Sequence, residues 1–152
     1  MDICVNGVGC QVDAVPTTKA IYVLRNDLGM KDVRMGCGEG HCGACVVLAD
    51  GRPCTTCDIT IEDLQGKRIR TVAGFGGAVT PHPVQSAFLA EQAGQCGYCL
   101  SGILASAVAL YERAVSPSED EIRAALDRHL CRCGTHHRIL TAVRAALKRK
   151  RE

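Results

Sequence analysis

The chain has 152 residues, enough for one domain or two small ones, and its 47% hydrophobic and 22% charged residues indicate a globular protein rather than a disordered one. The formal net charge of +2 is no signature of nucleic-acid binding, and no apolar run approaches the ~20 residues of a membrane span. Eleven cysteines, however, far exceed ordinary usage and require disulfides, metal or both.

The cysteines favour metal over disulfides. An odd number cannot pair completely within one chain, and several lie so close in sequence that they suit a shared metal better than bridges between distant segments. Met1 leads directly into residues 2–5 without the pattern of a secretory signal. We therefore expect a cytoplasmic protein, or one that reaches a membrane or the periplasm only through a partner subunit.

Two hairpins and one helix are predicted for the N-terminal half. Residues 3–5 and 8–12 alternate around Asn6-Gly7, a strong type I′ turn signal. Apolar residues at helical spacing run through 20–28, with 16–18 as the expected cap. Further elements are expected as strands at 46–48, 52–54 and 68–72 and a helical turn at 59–64. This strand-rich half with one helix suits a β-grasp.

Residues 36–45, between the predicted helix and the second hairpin, hold three cysteines among four glycines. Cys37, Cys42 and Cys45 follow the spacing C-x4-C-x2-C, and Cys57 comes after eleven more residues, which is the pattern of plant-type [2Fe–2S] ferredoxins. Several sulfurs must converge on one small core, so the backbone has to wrap tightly and adopt positive φ, which glycine does at little cost. Exposed N–H groups then stabilise the negative charge of the core.

The composition changes across residues 74–83, and the pattern beyond is helical. We expect helices beginning at Pro83, Leu100 and Glu119 and a fourth around 139–147, a small four-helix bundle. The predicted fold class is α+β, with a ferredoxin-like β-grasp domain at 1–76 and a helical domain at 77–152.

The helical half has its own quartet, Cys96, Cys99, Cys131 and Cys133, spaced C-x2-C-x31-C-x-C. Spacing alone leaves two interpretations open, a second cluster and a zinc site, since C-x2-C is a common zinc half-site. A thioredoxin-like redox pair lacks the expected βαβ context, and Leu100 after Cys99 excludes a c-type haem.

In this order the two quartets resemble the small iron–sulfur subunit of the molybdenum hydroxylases, the xanthine dehydrogenase and aldehyde oxidoreductase family. The matching stretches are 36–45, 50–53 with Cys57, 94–99 and 130–133, so the resemblance covers nearly the whole chain. The common family form continues Cys-Arg-Cys with Thr-Gly-Tyr, whereas here Gly134-Thr135-His136 follows. That ending resembles the isoquinoline oxidoreductase and nicotinate dehydrogenase branch.

The resemblance implies an electron-transfer subunit with two [2Fe–2S] clusters and no catalytic residue of its own. Substrate, an N-heterocyclic aromatic or an aldehyde, would be hydroxylated at a molybdopterin, expected in its cytosine dinucleotide form, held by a large partner subunit. The cluster of Cys96, Cys99, Cys131 and Cys133 would receive electrons first. The cluster of Cys37, Cys42, Cys45 and Cys57 would pass them on to an external acceptor, for example a cytochrome subunit. Gln95 and Cys133 map onto family residues that approach the pterin.

Other polar residues give weaker signals. Cys4, Cys10 and Cys54 alternate with apolar neighbours in predicted strands and are expected as small buried side chains. The histidines have no carboxylate or nucleophile pattern nearby, so surface or supporting roles are expected, with His41 or His136 able to tune a cluster. Two other functions stay open, a zinc-binding structural scaffold and a free-standing ferredoxin with an appended helical domain.

Overall fold

A computed structural model describes all residues 1–152, with a mixed β-sheet in the N-terminal half and helices in the C-terminal half. The sheet order is β2-β1-β5-β3-β4; β1 and β5 are parallel, and the other neighbours are antiparallel. This order with one crossing helix confirms the predicted ferredoxin-like β-grasp. The five strands are β1 (Asp2–Val5), β2 (Val8–Gln11), β3 (Val46–Ala49), β4 (Arg52–Thr55) and β5 (Arg68–Arg70).

Both hairpins turn where the sequence indicated. Asn6 and Gly7 have φ of 52° and 82°, and Asp50 and Gly51 have φ of 48° and 78°. Two consecutive positive φ values define a type I′ turn, whose twist matches that of the flanking strands.

The first helix differs from its prediction at its N-terminus and in its second half. Helix α1 (Ala20–Tyr22) continues as a π-helical turn at Val23–Asp27, and its N-cap residue Lys19 makes no side-chain cap hydrogen bond. The expected cap at 16–18 is therefore wrong. Backbone contacts hold this end instead, because the N–H groups of Ala20 and Ile21 donate to carbonyls of the segment after β4.

Four further helices confirm the predicted helical half: α2 (Pro83–Ala90), α3 (Leu100–Arg113), α4 (Glu119–Leu126) and α5 (His136–Arg151). Helix α4 begins with a capping box, in which Ser118 and Glu121 bond each other's backbone N–H groups. The basic C-terminal end of α5 helps to hold α5 against α3, because Lys150 Nζ donates hydrogen bonds to the carbonyls of Tyr111 and Ala114 at the C-terminus of α3. No helix is long and apolar enough to cross a membrane.

Strand β3 joins the two halves because it is buried on both faces. Val47 and Ala49 pack in the core beneath the sheet, whereas Val46 and Leu48 pack in the core of the helices, against α3. Alternate residues of a strand point to opposite faces, so one strand serves both cores. The loop that precedes β3, with its three cysteines, is thereby held against the N-terminal end of α3.

Candidate metal centres

The N-terminal cysteines lie in one loop and at the end of the adjoining hairpin. Cys37 is exposed and Cys42 half-buried, whereas Cys45 and Cys57 are buried with their sulfurs 3.3 Å apart. Cys54 is half-buried on β4 and is not part of this close pair. Cys4 and Cys10 are likewise half-buried rather than fully buried as expected.

Backbone N–H groups of the loop point at the sulfurs. Cys37 Sγ accepts from the N–H groups of Glu39, His41 and Cys42 at 3.3 to 3.4 Å. Cys42 Sγ accepts from Cys37 N at 3.3 Å, and Cys57 Sγ from Gly40 N at 3.2 Å. Such a set of donors around one point is suited to a negatively charged group.

Two glycines allow this wrapping. Gly40 and Gly43 have φ of +77° and +73°, and a side chain at either would collide with its neighbour, Asp58 or His129. Only glycine takes this conformation at low cost and also leaves room for the approach.

The surroundings of Cys37 and Cys57 shift the pKa values of these two thiols in opposite directions. N–H donation from Cys42, Glu39 and His41 lowers the pKa of Cys37 to about 6 against an opposing effect of burial. Burial, followed by the neighbouring Cys45 thiol, raises the pKa of Cys57 to about 12. Because metals bind the thiolate, metal binding at Cys57 must be coupled to release of its proton.

The second quartet sits where two helices begin. Cys99 is the N-cap residue of α3, and Cys131 and Cys133 immediately precede α5, whose N-cap residue is Thr135. Cys96 Sγ and Cys133 Sγ lie 3.5 Å apart. The positive ends of two helix dipoles therefore face the same group of sulfurs, which favours an anionic occupant.

In this quartet too, the surroundings raise the pKa of one thiol and lower the pKa of others. Burial raises the pKa of Cys99 to about 12, with a further contribution from a hydrogen bond with Cys131. For Cys131 the burial effect also raises the pKa, but hydrogen bonds with Thr135 outweigh it and bring the pKa down to about 6. N–H donation from Tyr98 lowers the pKa of Cys96.

The eight sulfurs form four pairs, which is the arrangement that two binuclear cores require. No three His, Cys, Asp or Glu side chains converge on a point suited to one metal ion. Two thiolates on one tetrahedral metal lie about 3.7 Å apart, given metal–sulfur bonds of about 2.3 Å. The observed sulfur–sulfur separations of 3.3 and 3.5 Å are close to this value. These two distances belong to the pairs Cys45–Cys57 and Cys96–Cys133. The backbone N–H groups of Cys37 and Cys42 each donate to the other's sulfur, and a hydrogen bond links the side chains of Cys99 and Cys131.

The two cysteine sites are linked by direct contacts. Leu130 N, one residue before Cys131, donates to the carbonyl of Cys42 at 3.1 Å. Tyr98, between Cys96 and Cys99, donates its hydroxyl to the Met35 carbonyl at 2.6 Å. The loops that hold the two quartets are therefore joined by both backbone and side-chain hydrogen bonds.

Gln95 is exposed and lines a groove of about 460 Å³ between the segment before α2 and the start of α3. Its neighbour Cys96 pairs with Cys133, so Gln95 and Cys133, the two predicted pterin contacts, lie on the same side of the helical half. Apolar side chains of α2 and α3, among them Leu89 and Leu104, complete the groove.

Three of the five histidines are exposed, one is half-buried and one is buried. His41, His136 and His137 are exposed. His82 caps α2 and lies 3.8 Å from Glu112, a carboxylate that the sequence pattern did not indicate. His129 is 4% exposed, and burial, followed by the charge of Arg128, lowers its pKa to about 4, so its ring is neutral at pH 7.

Comparisons with known proteins match both halves of the chain. A family model described as a 2Fe–2S iron–sulfur cluster binding domain matches residues 3–71, and one described as a [2Fe–2S] binding domain matches residues 71–144.

Curated relatives match almost end to end. A nicotinate dehydrogenase subunit of Pseudomonas putida is 47% identical over 97% of this chain and 94% of its own length. The alpha subunit of isoquinoline 1-oxidoreductase from Brevundimonas diminuta is 36% identical over 97% of each chain. The chain belongs to the iron–sulfur subunits of the molybdenum hydroxylases.

A solved structure supports the same membership of this iron–sulfur subunit. The quinoline 2-oxidoreductase from Pseudomonas putida 86 superposes with a TM-score of 0.91 and 30% identity, over 99% of this chain and 94% of the matched chain. The predicted family and branch are thus confirmed.

The cysteine motifs did not indicate the residues that connect the two sites of this iron–sulfur subunit. Gly102 and Ser106 are small residues in a largely apolar helix, and their i, i+4 spacing puts them on one face. That spacing was an available signal for a close contact. The role of His129 had no local signal, because its partners lie far away in sequence.

Proposed function

We propose that this chain carries electrons, one at a time, from the molybdenum centre of a large partner subunit through two [2Fe–2S] clusters to an external acceptor. The observation that carries the proposal is the gathering of eight cysteines into two quartets at linked sites. When bound, each [2Fe–2S] core accepts and releases one electron.

Each quartet of cysteines is assigned as the ligand set of one cluster. The ligands of the N-terminal cluster are Cys37, Cys42, Cys45 and Cys57, and those of the helical cluster are Cys96, Cys99, Cys131 and Cys133. The N–H groups of the first loop and the helix N-termini of the second site stabilise negative charge, which favours the reduced state.

The chain also supplies a short covalent and hydrogen-bonded route between the two sites. It runs from Cys131 to Leu130, across the 3.1 Å hydrogen bond, to the carbonyl of Cys42. In the proposed direction, electrons enter at the helical cluster and leave at the N-terminal one, whose Cys37 is exposed.

Gln95 and Cys133 are proposed to contact the pterin at the entry side. An amide offers a donor and an acceptor together, and the exposed groove around Gln95 leaves it accessible. We propose the cytosine dinucleotide form of the cofactor, held by the partner.

The relatives act, by name, on nicotinate, isoquinoline and quinoline, so we propose an N-heterocyclic aromatic substrate for the complex, with an aldehyde as the alternative. A cytochrome or another acceptor subunit would receive the electrons. We place the two domains at 1–76 and 77–152, and the subunit in the cytoplasm unless a partner anchors it or carries it to the periplasm.

Iron and acid-labile sulfide, measured on anaerobically purified protein with its visible spectrum, test the proposal. We expect about four of each per chain and a brown colour that bleaches with dithionite, since each of two clusters holds two iron and two sulfide. Zinc with no colour contradicts the proposal. About two iron and two sulfide per chain would mean that only one of the two sites holds a cluster.

Replacing Gln95 by Ala tests the pterin contact. Iron content is expected to stay unchanged, while reduction of the helical cluster by the substrate-loaded complex slows. Gln11→Ala, an exposed glutamine on β2, is the control and should leave the rate unchanged. Equal rates for both variants would remove the proposed role of Gln95.

A further inference from the structure

His129 lies at the junction of the two cysteine loops and is the one buried histidine of the chain. It follows α4 and precedes Cys131 by two residues, with only 4% of its surface exposed. Its Nε2 lies 2.7 Å from the hydroxyl oxygen of Ser106 on α3, which is also buried. One edge of the ring is thus fixed to the helix that packs on β3.

The opposite edge faces the N-terminal cysteine loop. A Cβ atom on Gly43 would stand 2.3 Å from His129 Nδ1 and 2.9 Å from Cε1, so the ring fills the space beside this glycine. Nδ1 has no hydrogen-bond partner of good geometry. Gly43 lies between Cys42 and Cys45, so the ring touches the loop between two proposed ligands of the N-terminal cluster.

The backbone continues the same contact. The residue after His129, Leu130, donates the hydrogen bond to the Cys42 carbonyl. On the other side of Gly43, its carbonyl packs directly on Gly102 of α3. The imidazole, the helix and the hydrogen bond therefore enclose the loop from three directions.

We propose that His129 is the positioning residue that sets the electronic coupling between the two clusters, by wedging its imidazole between Ser106 and Gly43 and so holding the Cys42 loop against Leu130. This inference rests on the proposed function, because it concerns the electron path between the two proposed clusters. It assigns His129 no contact with substrate and no direct bond to a metal.

A tightly packed side chain fits this role better than a flexible one. Packed interiors transmit displacements of neighbouring groups because they hold few voids. Removing the ring leaves a cavity beside Gly43, so the loop gains freedom to shift and the Leu130–Cys42 hydrogen bond lengthens. Electron transfer is sensitive to that shift, whereas the number of ligands is unchanged.

The test compares His129→Ala, His129→Gln and Ser106→Ala in the full chain, purified anaerobically with the subunits that accompany it. Gln reaches about as far as Nε2 and can keep the contact with Ser106, whereas Ala cannot. His137→Ala is the matched control, because His137 is an exposed histidine on α5, outside both cysteine loops. Iron and sulfide are determined for every variant.

The decisive readout is the magnetic interaction between the two reduced clusters, seen as splitting of their EPR signals, together with the inter-cluster transfer rate by rapid freezing. We expect His129→Ala to change the splitting and to slow transfer roughly tenfold, since a 1 Å misplacement of reacting groups can cost about a hundredfold and the shift expected here is smaller. Ser106→Ala should change both in the same direction but less, and His129→Gln should stay closer to the original protein. A merely structural role would lower the melting temperature without altering the splitting.

Unchanged splitting and rate in His129→Ala, with iron retained, overturn the inference while leaving the proposed function intact. If His129→Ala loses iron, Ser106→Ala decides, and a splitting and transfer rate equal to those of His137→Ala overturn the inference. If the unaltered protein lacks two clusters, the proposed function fails and the inference fails with it.

Discussion

Replacing Gly102 by Ala should weaken the joint between the two halves. A Cβ atom at Gly102 would stand 1.8 Å from the Gly43 carbonyl oxygen, 2.9 Å from its carbon and 3.3 Å from the carbonyl carbon of Ala44. All three atoms belong to the backbone, so no side-chain rotation can relieve the overlap. Helix α3 and the cysteine loop must move apart by more than about 1 Å to reach normal contact.

The expected free-energy change is the sum of two opposing effects. Ala in place of Gly in a helix stabilises it by about 1 kcal/mol. Overpacking of a well-packed region costs typically about 1 to 3 kcal/mol, and rigid backbone neighbours place this site at the upper end. The net loss is about 2 kcal/mol, which for a chain of this size lowers the melting temperature by roughly 4 to 8 °C.

Thermal melting of the anaerobic holoprotein, followed by visible absorbance at one fixed scan rate, measures this loss. Ser101→Ala is the matched control, because it brings a somewhat smaller helix gain in the adjacent residue with no backbone overlap. If Gly102→Ala melts at or above the temperature of Ser101→Ala, the close contact between α3 and the loop does not exist as described.

Four further substitutions probe three separate features. Cys57→Ser should halve the iron content by removing the N-terminal cluster, whereas Cys54→Ser should keep all iron; the reverse result would refute the ligand assignment. Tyr98→Phe removes a hydroxyl bond to the carbonyl just ahead of the N-terminal cysteine loop, so the melting temperature should fall by the equivalent of about 1 kcal/mol with iron unchanged. Glu112→Gln breaks a bidentate pair with Arg70 that is about one third exposed, so a loss of about 0.5 to 1 kcal/mol is expected, smaller at high salt; a salt-independent loss would contradict the ionic origin.

The elements that the sequence predicted well are those with local causes. Asn6-Gly7 and Asp50-Gly51 favour type I′ turns through their own φ preferences, and both hairpins form there. The capping box of α4 is likewise contained within four residues. The cap predicted from the local sequence of α1 is wrong, because backbone hydrogen bonds to the distant segment after β4 take the place of the expected cap.

Non-local features could not be predicted. The parallel pairing of β1 with β5 joins strands more than sixty residues apart, and no short pattern specifies it. The cysteine spacing indicated two metal centres, but the pairing of Cys96 with Cys133 follows from the packing of helix ends. The position of His129 between Ser106 and Gly43 likewise depends on three separate segments meeting.

The contacts between the two halves differ in stiffness, and this difference bears on how the sites communicate. At the start of α3, Gly102 touches the backbone of Gly43, so no side-chain rotamer can adjust there. Ten residues later, about 15 Å along the helix, Glu112 meets Arg70 through long and partly exposed side chains. Such a surface pair can rearrange at little cost, whereas the glycine contact cannot. Relative motion of the halves should therefore be largest near Arg70 and smallest beside the cysteine loop. Breaking the ion pair should then lower stability without altering the coupling between the clusters, whereas filling the glycine contact should change both.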